Sequence, residues 1–312
     1  MKKKLISILI PFFNEEGALK PLVNELKEIE KLISSKYDFE IILLDNHSSD
    51  KSQQESQDIS TKYKNIKLIR HSRNFGYQAN IFSGYNLCKG DAAIQLDADG
   101  EDDPKMILKF IEKWEQGYEV VYGIRKSRKE NLITKLFRNI FYRILHHIAE
   151  INIPVDAGDF RLIDKKIIQI LNKFEEKNIY LRGLISYIGF NQIGIDYDRR
   201  KRKIGKSKFS LFSYFKLASI GIISFSKKPL IIIFFTGIFI FGFSFLLLLY
   251  YLFQYFIGSI LVQGFVTLIV VLLLFFGTTF LFMGIIALYI GQIHDEVKKR
   301  PIYISEKNNE EK

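Results

Sequence analysis

The chain has 312 residues, with 45 Lys and Arg against 34 Asp and Glu and a net charge of +11. That length allows one sizeable domain or two small ones, and the basic balance points to an anionic partner: nucleic acid, a phosphate or a membrane surface. The single Cys88 excludes an intrachain disulfide framework and fits a reducing compartment.

Met1 to Lys4 is basic, as the start of a signal peptide is, but Leu5 to Phe13 runs straight into Asn14-Glu15-Glu16 with no small-residue cleavage site. It reads instead as a buried first strand over 5–10, followed by a loop and an amphipathic helix over 17–34. A second strand, 41–44, ends at Asp45-Asn46-His47-Ser48-Ser49-Asp50, and a polar helix follows over 51–63. A third strand covers 66–70, Asn74-Phe75-Gly76 makes a turn, and a helix covers 77–88. A fourth strand over 92–96, a helix over 104–116 and a strand over 119–123 continue the alternation. Strands and helices at this spacing predict a doubly wound α/β sheet, in which ligands bind beyond the carboxyl ends of the strands. The loop Asn14–Glu16, Asp45 and the stretch after the fourth strand all fall at such ends. Neither GxGxxG nor GxxxxGK[ST] is present, so a dinucleotide oxidoreductase or P-loop enzyme has no support.

The fourth strand runs into Asp97-Ala98-Asp99-Gly100-Glu101-Asp102-Asp103, five carboxylates in seven residues. A bare D-x-D is more often a solvated acidic turn. At a strand end, however, mutual repulsion of this density is best relieved by a hard cation such as Mg²⁺ or Mn²⁺, with open coordination positions for a diphosphate. Residues 132–149 carry apolar residues at helical spacing among Lys135, Arg138, Arg143 and two His, a pattern shared by membrane-surface helices and ordinary packed helices. Asp156 to Leu162 enters another sheet segment, and 164–175 reads as a helix. Residues 197–208 hold seven basic residues around Gly205 and Ser207, donors suited to a bound phosphate. The apolar stretch 209–225 is then expected to lie along the bilayer.

From Pro229 to Ile293 there is no Asp, Glu, Lys or Arg in 65 positions, enough for two membrane helices near 230–256 and 265–291. Lys227 and Lys228 precede them and Lys298, Lys299 and Arg300 follow, so both ends are expected on the cytoplasmic side. The expected organisation is a cytoplasmic domain over 1–207, a membrane-surface helix over 208–228, two transmembrane helices within 229–293, and a cytoplasmic tail over 294–312. From Glu306 onward the tail is polar and expected to be disordered.

Eight stretches in order now matter together: Ile8 to Glu16, Arg73-Asn74-Phe75-Gly76, Gln95-Leu96-Asp97-Ala98-Asp99, Val121 to Arg128, Asp156 to Leu162, Arg182-Gly183-Leu184, Arg202 to Lys208, and Ser224 to Leu230. With the terminal apolar pair, the chain resembles the membrane-bound family-two glycosyltransferases that move a sugar from a nucleotide to a polyprenyl phosphate. It is most similar to the bactoprenol (undecaprenyl-phosphate) glucosyltransferase type, related to dolichol-phosphate mannose synthases. The resemblance implies a GT-A fold, an inverting transfer and Mg²⁺ or Mn²⁺ held by Asp97, Asp99 and Glu101. It implies nucleotide binding by Pro11, Phe12, Glu15, Asp45, Asn46 and Asp97. It implies catalytic roles for Asp156, Asp99 and Arg125, and a grip on the lipid phosphate by Arg125, Arg128, Arg138, Arg199, Arg202, Ser207 and Lys208. Two departures stand out: Asn46 where the family often has Asp, and Gly100-Glu101-Asp102-Asp103-Pro104 where it usually reads Leu-Gln-Asp-Pro-Pro-Glu.

The expected reaction is one transfer of a sugar, by default glucose from a UDP-sugar, to undecaprenyl phosphate at the cytoplasmic face of the membrane, where a homo-oligomer is an allowed assembly. A phosphate nucleophile is already ionised near pH 7, so Asp156 is needed for orientation more than for deprotonation. Two other classes share part of the pattern. A processive polysaccharide synthase also uses D-x-D, but Q-x-x-R-W and a larger span count are missing. A non-enzymatic membrane adaptor would carry the charged runs only as surface. A nucleic-acid partner is disfavoured, because the basic block adjoins a membrane segment and carries no reading motif.

Overall fold

The computed structural model describes residues 3–125, 157–200, 228–257 and 265–306. The expected surface helix at 132–149, residues 208–227 of the one expected at 208–228, and the turn between the apolar helices lie outside the described residues, while Lys228 already opens the first apolar helix.

The first strand, β1 (Lys4–Phe12), is buried on both faces from Ile6 to Phe12, as a continuous apolar run requires in a parallel sheet. Helix α1 (Leu19–Ile33) buries Leu19, Leu22, Val23, Leu26 and Ile29, one stripe at helical spacing. Then come β2 (Tyr37–Asp45), α2 (Ser52–Lys62), β3 (Ile66–Arg70), α3 (Tyr77–Leu87), β4 (Ala92–Gln95), α4 (Met106–Glu115) and β5 (Val120–Arg125). After the undescribed segment follow β6 (Ala157–Asp164), α5 (Lys165–Leu171), α6 (Leu181–Ile188) and β7 (Gln192–Tyr197).

The seven strands form one sheet in the order β3-β2-β1-β4-β6-β5-β7. Side chains of α1, α2 and α4 build the core on one face, and those of α3, α5 and α6 build it on the other. The order reverses between β1 and β4, which opens a crevice at the carboxyl ends of these strands. The alternation predicts parallel strands up to β5, whereas β6 runs antiparallel between β4 and β5. This reversal places the amino end of β6 beside the carboxyl ends of its neighbours. Since β5 and β7 are parallel with Arg125 opposite Tyr197, those two residues reach the same end.

Two long apolar helices follow, α7 (Lys228–Ile257) and α8 (Phe265–Val297). Both leave large apolar side chains exposed, among them Phe234, Phe239, Phe253, Phe256 and Phe280, which water would not tolerate in this density but lipid would. Among the described residues, Leu274–Val297 is long and apolar enough to cross a membrane. Helix α8 continues past the expected 291 to Val297, where Glu296 accepts a hydrogen bond from the Lys177 backbone at 2.8 Å. The chain then returns to the sheet edge. Glu306, expected to be disordered, donates its backbone N–H to the Arg70 carbonyl at 2.9 Å.

Candidate active site

The loop after β1 is tied to the loop after β2. Asn14 donates its N–H to Ser48 Oγ (3.0 Å), Glu15 donates to Ser52 Oγ (3.1 Å), and Ser49 donates to Asn14 Oδ1 (2.7 Å). Asn14 and His47 both take positive φ, 54° and 66°, so the two loops turn sharply at adjacent points. Asp45, at the carboxyl end of β2, is fully buried. Its carboxylate accepts from the Ser48 N–H at 2.8 Å and from Arg70 at 2.7 Å. Asn46 is also buried; its amide donates to Asn74 at 2.9 Å while its oxygen accepts from the Phe75 N–H at 3.0 Å. Pro11, Phe12, Glu15, Asp45 and Asn46 therefore share one end of the sheet. The Asn46 oxygen keeps one lone pair for a further donor.

The acidic loop lies across the switch point from them. Asp97 accepts from the Tyr77 hydroxyl at 2.6 Å, and Tyr77 in turn accepts from Gln95 at 3.0 Å. Burial, with Asp102 and Asp99 close by, raises the Asp97 carboxyl to about 7. Gly100 supplies a φ of 70° that turns the chain between the two halves of the cluster. Beyond it Asp102 is fully buried and accepts from the Tyr197 hydroxyl at 2.5 Å. The Arg125 guanidinium donates to that hydroxyl at 3.3 Å and lies 3.8 Å from the second Asp102 oxygen. Burial opposes the charge on Arg125, but Asp102 and Tyr197 outweigh it and raise its pKa. Gly123 makes room for Tyr197: a Cβ there would stand 2.6 Å from the ring.

Arg199 closes the cluster. It contacts Asp99 at 3.8 Å, Asp102 at 3.5 Å and Glu101 more closely. Here it balances the acidic loop's charge. Next to it Arg200 pairs with Glu25 (2.7 Å) and Asp103 (2.6 Å). At the start of β6, Arg182 grips Asp159 through two bonds of 2.7 and 2.6 Å. Burial works against ionisation of Asp159, but Arg182, with Arg161 and Arg125 nearby, holds its carboxyl at about 2.

Of the residues expected from the sequence, Asp97, Asp99, Glu101, Arg125 and Arg199 come together. Asp156, Arg128, Arg138, Arg202, Ser207 and Lys208 lie outside the described residues. Sequence reasoning gave no role to Tyr77, Asp102, Tyr197, Arg70 or the Asp159–Arg182 pair. One signal was available for Arg70: a charged residue ending a strand whose parallel partner ends in Asp45.

The donor set suits a divalent cation. Asp97 and Asp99 repel one another, and Asp102 keeps a buried oxygen with no hydrogen-bond partner. Among the described residues no three such side chains converge to cage an ion alone.

Residues 7–171 match the family model described as glycosyl transferase family 2. The chain is 39% identical to YkcC of Bacillus subtilis, described as an uncharacterized glycosyltransferase, over 97% of this chain and 93% of that one. It is 30% identical to the SfII prophage-derived bactoprenol glucosyl transferase of Shigella flexneri, over 97% and 98%. Among solved structures it is similar in fold to the mannosyltransferase PcManGT of Pyrobaculum calidifontis in complex with GDP-Man and Mn²⁺, with a TM-score of 0.50, 13% identity, and coverage of 72% and 63%. A mixed sheet carrying the acidic loop and the Asp45-bearing loop at one end, a family match across more than half of the chain, and relatives aligned over nearly all of it lead to one conclusion: this chain belongs to glycosyl transferase family 2, has the GT-A fold and is a glycosyltransferase.

Proposed function

We propose that the enzyme transfers a single sugar, with inversion, from a UDP-sugar to undecaprenyl phosphate at the cytoplasmic membrane face, with glucose as the default sugar. The observation that carries this reading is the joining, in one chain, of the acidic sheet end to apolar helices, over a length that aligns almost completely with a bactoprenol glucosyl transferase. A lipid phosphate lies at the headgroup level, where only a domain anchored to the bilayer reaches it. The proposed topology has α7 and α8 spanning the membrane and both termini with the catalytic domain (1–207) on the cytoplasmic side, in accord with the flanking lysines.

In this mechanism Pro11, Phe12, Glu15, Asp45 and Asn46 hold the nucleotide. Asp97, Asp99 and Glu101 would hold Mg²⁺ or Mn²⁺, which when bound would supply positive charge opposite the negative charge developing on the leaving β-phosphate. Arg125 is fixed by Tyr197 and Asp102, so its guanidinium is preorganised to orient an anionic group. Arg199, with Arg128, Arg138, Arg202, Ser207 and Lys208, is assigned to the lipid phosphate, and Asp156 to orienting the acceptor. The acceptor phosphate carries its own negative charge, so no strong base is required.

The test is an assay of the detergent-purified chain with undecaprenyl phosphate, Mg²⁺ or Mn²⁺, and a panel of nucleotide sugars, read by mass. One sugar added once by the wild type, with a loss of about a hundredfold or more in Asp99→Ala, is the expected result. Successive additions would indicate a processive synthase. A wild type inactive with every donor would overturn the acceptor assignment.

A further inference from the structure

Edge strands expose unpaired backbone groups and are often covered. β3 is such an edge, and the segment that leaves α8 pairs at its carboxyl end. Ser305 forms an antiparallel bridge with His71. The Ser72 N–H donates to the Ile304 carbonyl and the Glu306 N–H to the Arg70 carbonyl, both at 2.9 Å. Ile302 and Tyr303 pack on the core face that α3 covers, with the Tyr303 ring 5.4 Å from the buried His71 ring. The register of the segment is thereby fixed from both backbone and side chains.

That register brings a carboxylate to the nucleotide side of the site. Arg70 donates to Asp45 at 2.7 Å, to Glu306 Oε1 at 3.1 Å and to the Ser48 carbonyl at 3.3 Å. The Glu306 carboxylate also lies 3.9 Å from His47 Nδ1, in the loop that follows Asp45. A planar guanidinium held at both edges has little rotational freedom. Without Glu306 the bonds to Asp45 and the Ser48 carbonyl remain, but the Nε–H edge is left unheld and the plane is less defined.

We infer that Glu306 is a positioning residue of the donor site: through Arg70 it fixes Asp45 and the loop behind it, so the segment leaving the apolar helices completes the nucleotide pocket. This rests on the reading of Asp45 as a nucleotide ligand. The connection is short, from the end of α8 at Val297 to the bridge at Ser305, which ties the order of the pocket to the anchor.

The experiment titrates UDP, and GDP in parallel, into the full-length protein by calorimetry, and measures kcat and both KM values. Glu306→Gln should weaken nucleotide binding and raise donor KM by about tenfold, with acceptor KM and kcat within about twofold and an unchanged unfolding midpoint. Glu306→Asp should recover part of the loss, a response that mere coverage of the edge would not give. Nucleotide binding by the wild type that is unchanged in Glu306→Gln overturns this inference alone. A wild type that binds neither nucleotide overturns the reading of the pocket and the inference with it.

Discussion

On the β1–β2–β3 side of the sheet, each of the pocket's polar side chains has a backbone partner: the Ser48 N–H on Asp45, the Phe75 N–H on Asn46, the Asn14 N–H on Ser48, with Arg70 and Asn74 adding side-chain contacts. On the β4–β6–β5–β7 side they are held by one another: Tyr197 on Asp102, Arg125 on Tyr197, Arg199 across Asp99, Glu101 and Asp102, Arg182 on Asp159. A backbone donor stays in place when one side chain is cut, so damage at those positions is local; the Glu306–Arg70–Asp45 relay is the side-chain exception on this side. A charged network loses several partners at once, so damage on the second side spreads.

The largest effect is expected at the centre of that network. Asp102→Asn removes the one carboxylate that Arg125, Arg199 and Tyr197 share among the described contacts, although Arg199 keeps Asp99 and Glu101. It leaves Arg125, itself largely buried, short of a counter-charge, and should cost about 3–5 kcal/mol in denaturant unfolding. A double-mutant cycle with Arg125→Met should recover part of that loss, because the second change removes the stranded charge. Additive losses would show that the two sides are built alike after all.

The Asp159–Arg182 pair sharpens the comparison through pH. The folded-state Asp159 carboxyl is depressed to about 2 against an ordinary value near ~3.9. Its contribution of about 2 kcal/mol is therefore fully present above pH ~4 and is lost as pH falls toward about 2. Unfolding of the wild type and Asp159→Asn should differ most above pH ~4, and the two curves should converge below it. A gap that persists to pH 2 would mean that packing, not charge, makes the pair's contribution.

The same contrast explains what the sequence makes legible. Strands β1, β2 and β4 announce themselves as apolar runs because parallel strands are buried on both faces, and loops at their ends mark Asp45, Asp97 and Asp99 directly. A charge-free run of 65 residues marks the apolar helices for the same reason. β6 is harder to read, since Asp159 and Arg161 stand inside a strand, and Arg161 is almost wholly buried. Their partners, Arg182 and the Gly158 carbonyl, make those charges tolerable, and the pairing with Arg182 spans 23 residues. Tyr197 and Asp102 meet across 95 residues through the β5–β7 pairing and the turn at Gly100. No local pattern encodes that meeting. The docking of Glu306 is similarly hidden, because a polar terminal segment looks the same whether or not an edge strand awaits it.

The smallest effect should come from the backbone-held side. Ser48 is buried, and its hydroxyl accepts from the Asn14 N–H, while its own N–H serves Asp45 and its carbonyl serves Arg70. Ser48→Ala deletes only the first of these bonds, since the other two belong to the backbone. Asn14 is half-buried, so its freed N–H can turn to water instead of remaining unpaired. The expected cost is about 1 kcal/mol of stability, and the Asp45 contacts should survive. Donor KM should rise by no more than about fivefold with kcat retained, a shift that steady-state kinetics across donor concentrations would resolve. A collapse of kcat in Ser48→Ala would show that the loops after β1 and β2 act as a network too, and the distinction between the two sides of the sheet would not hold.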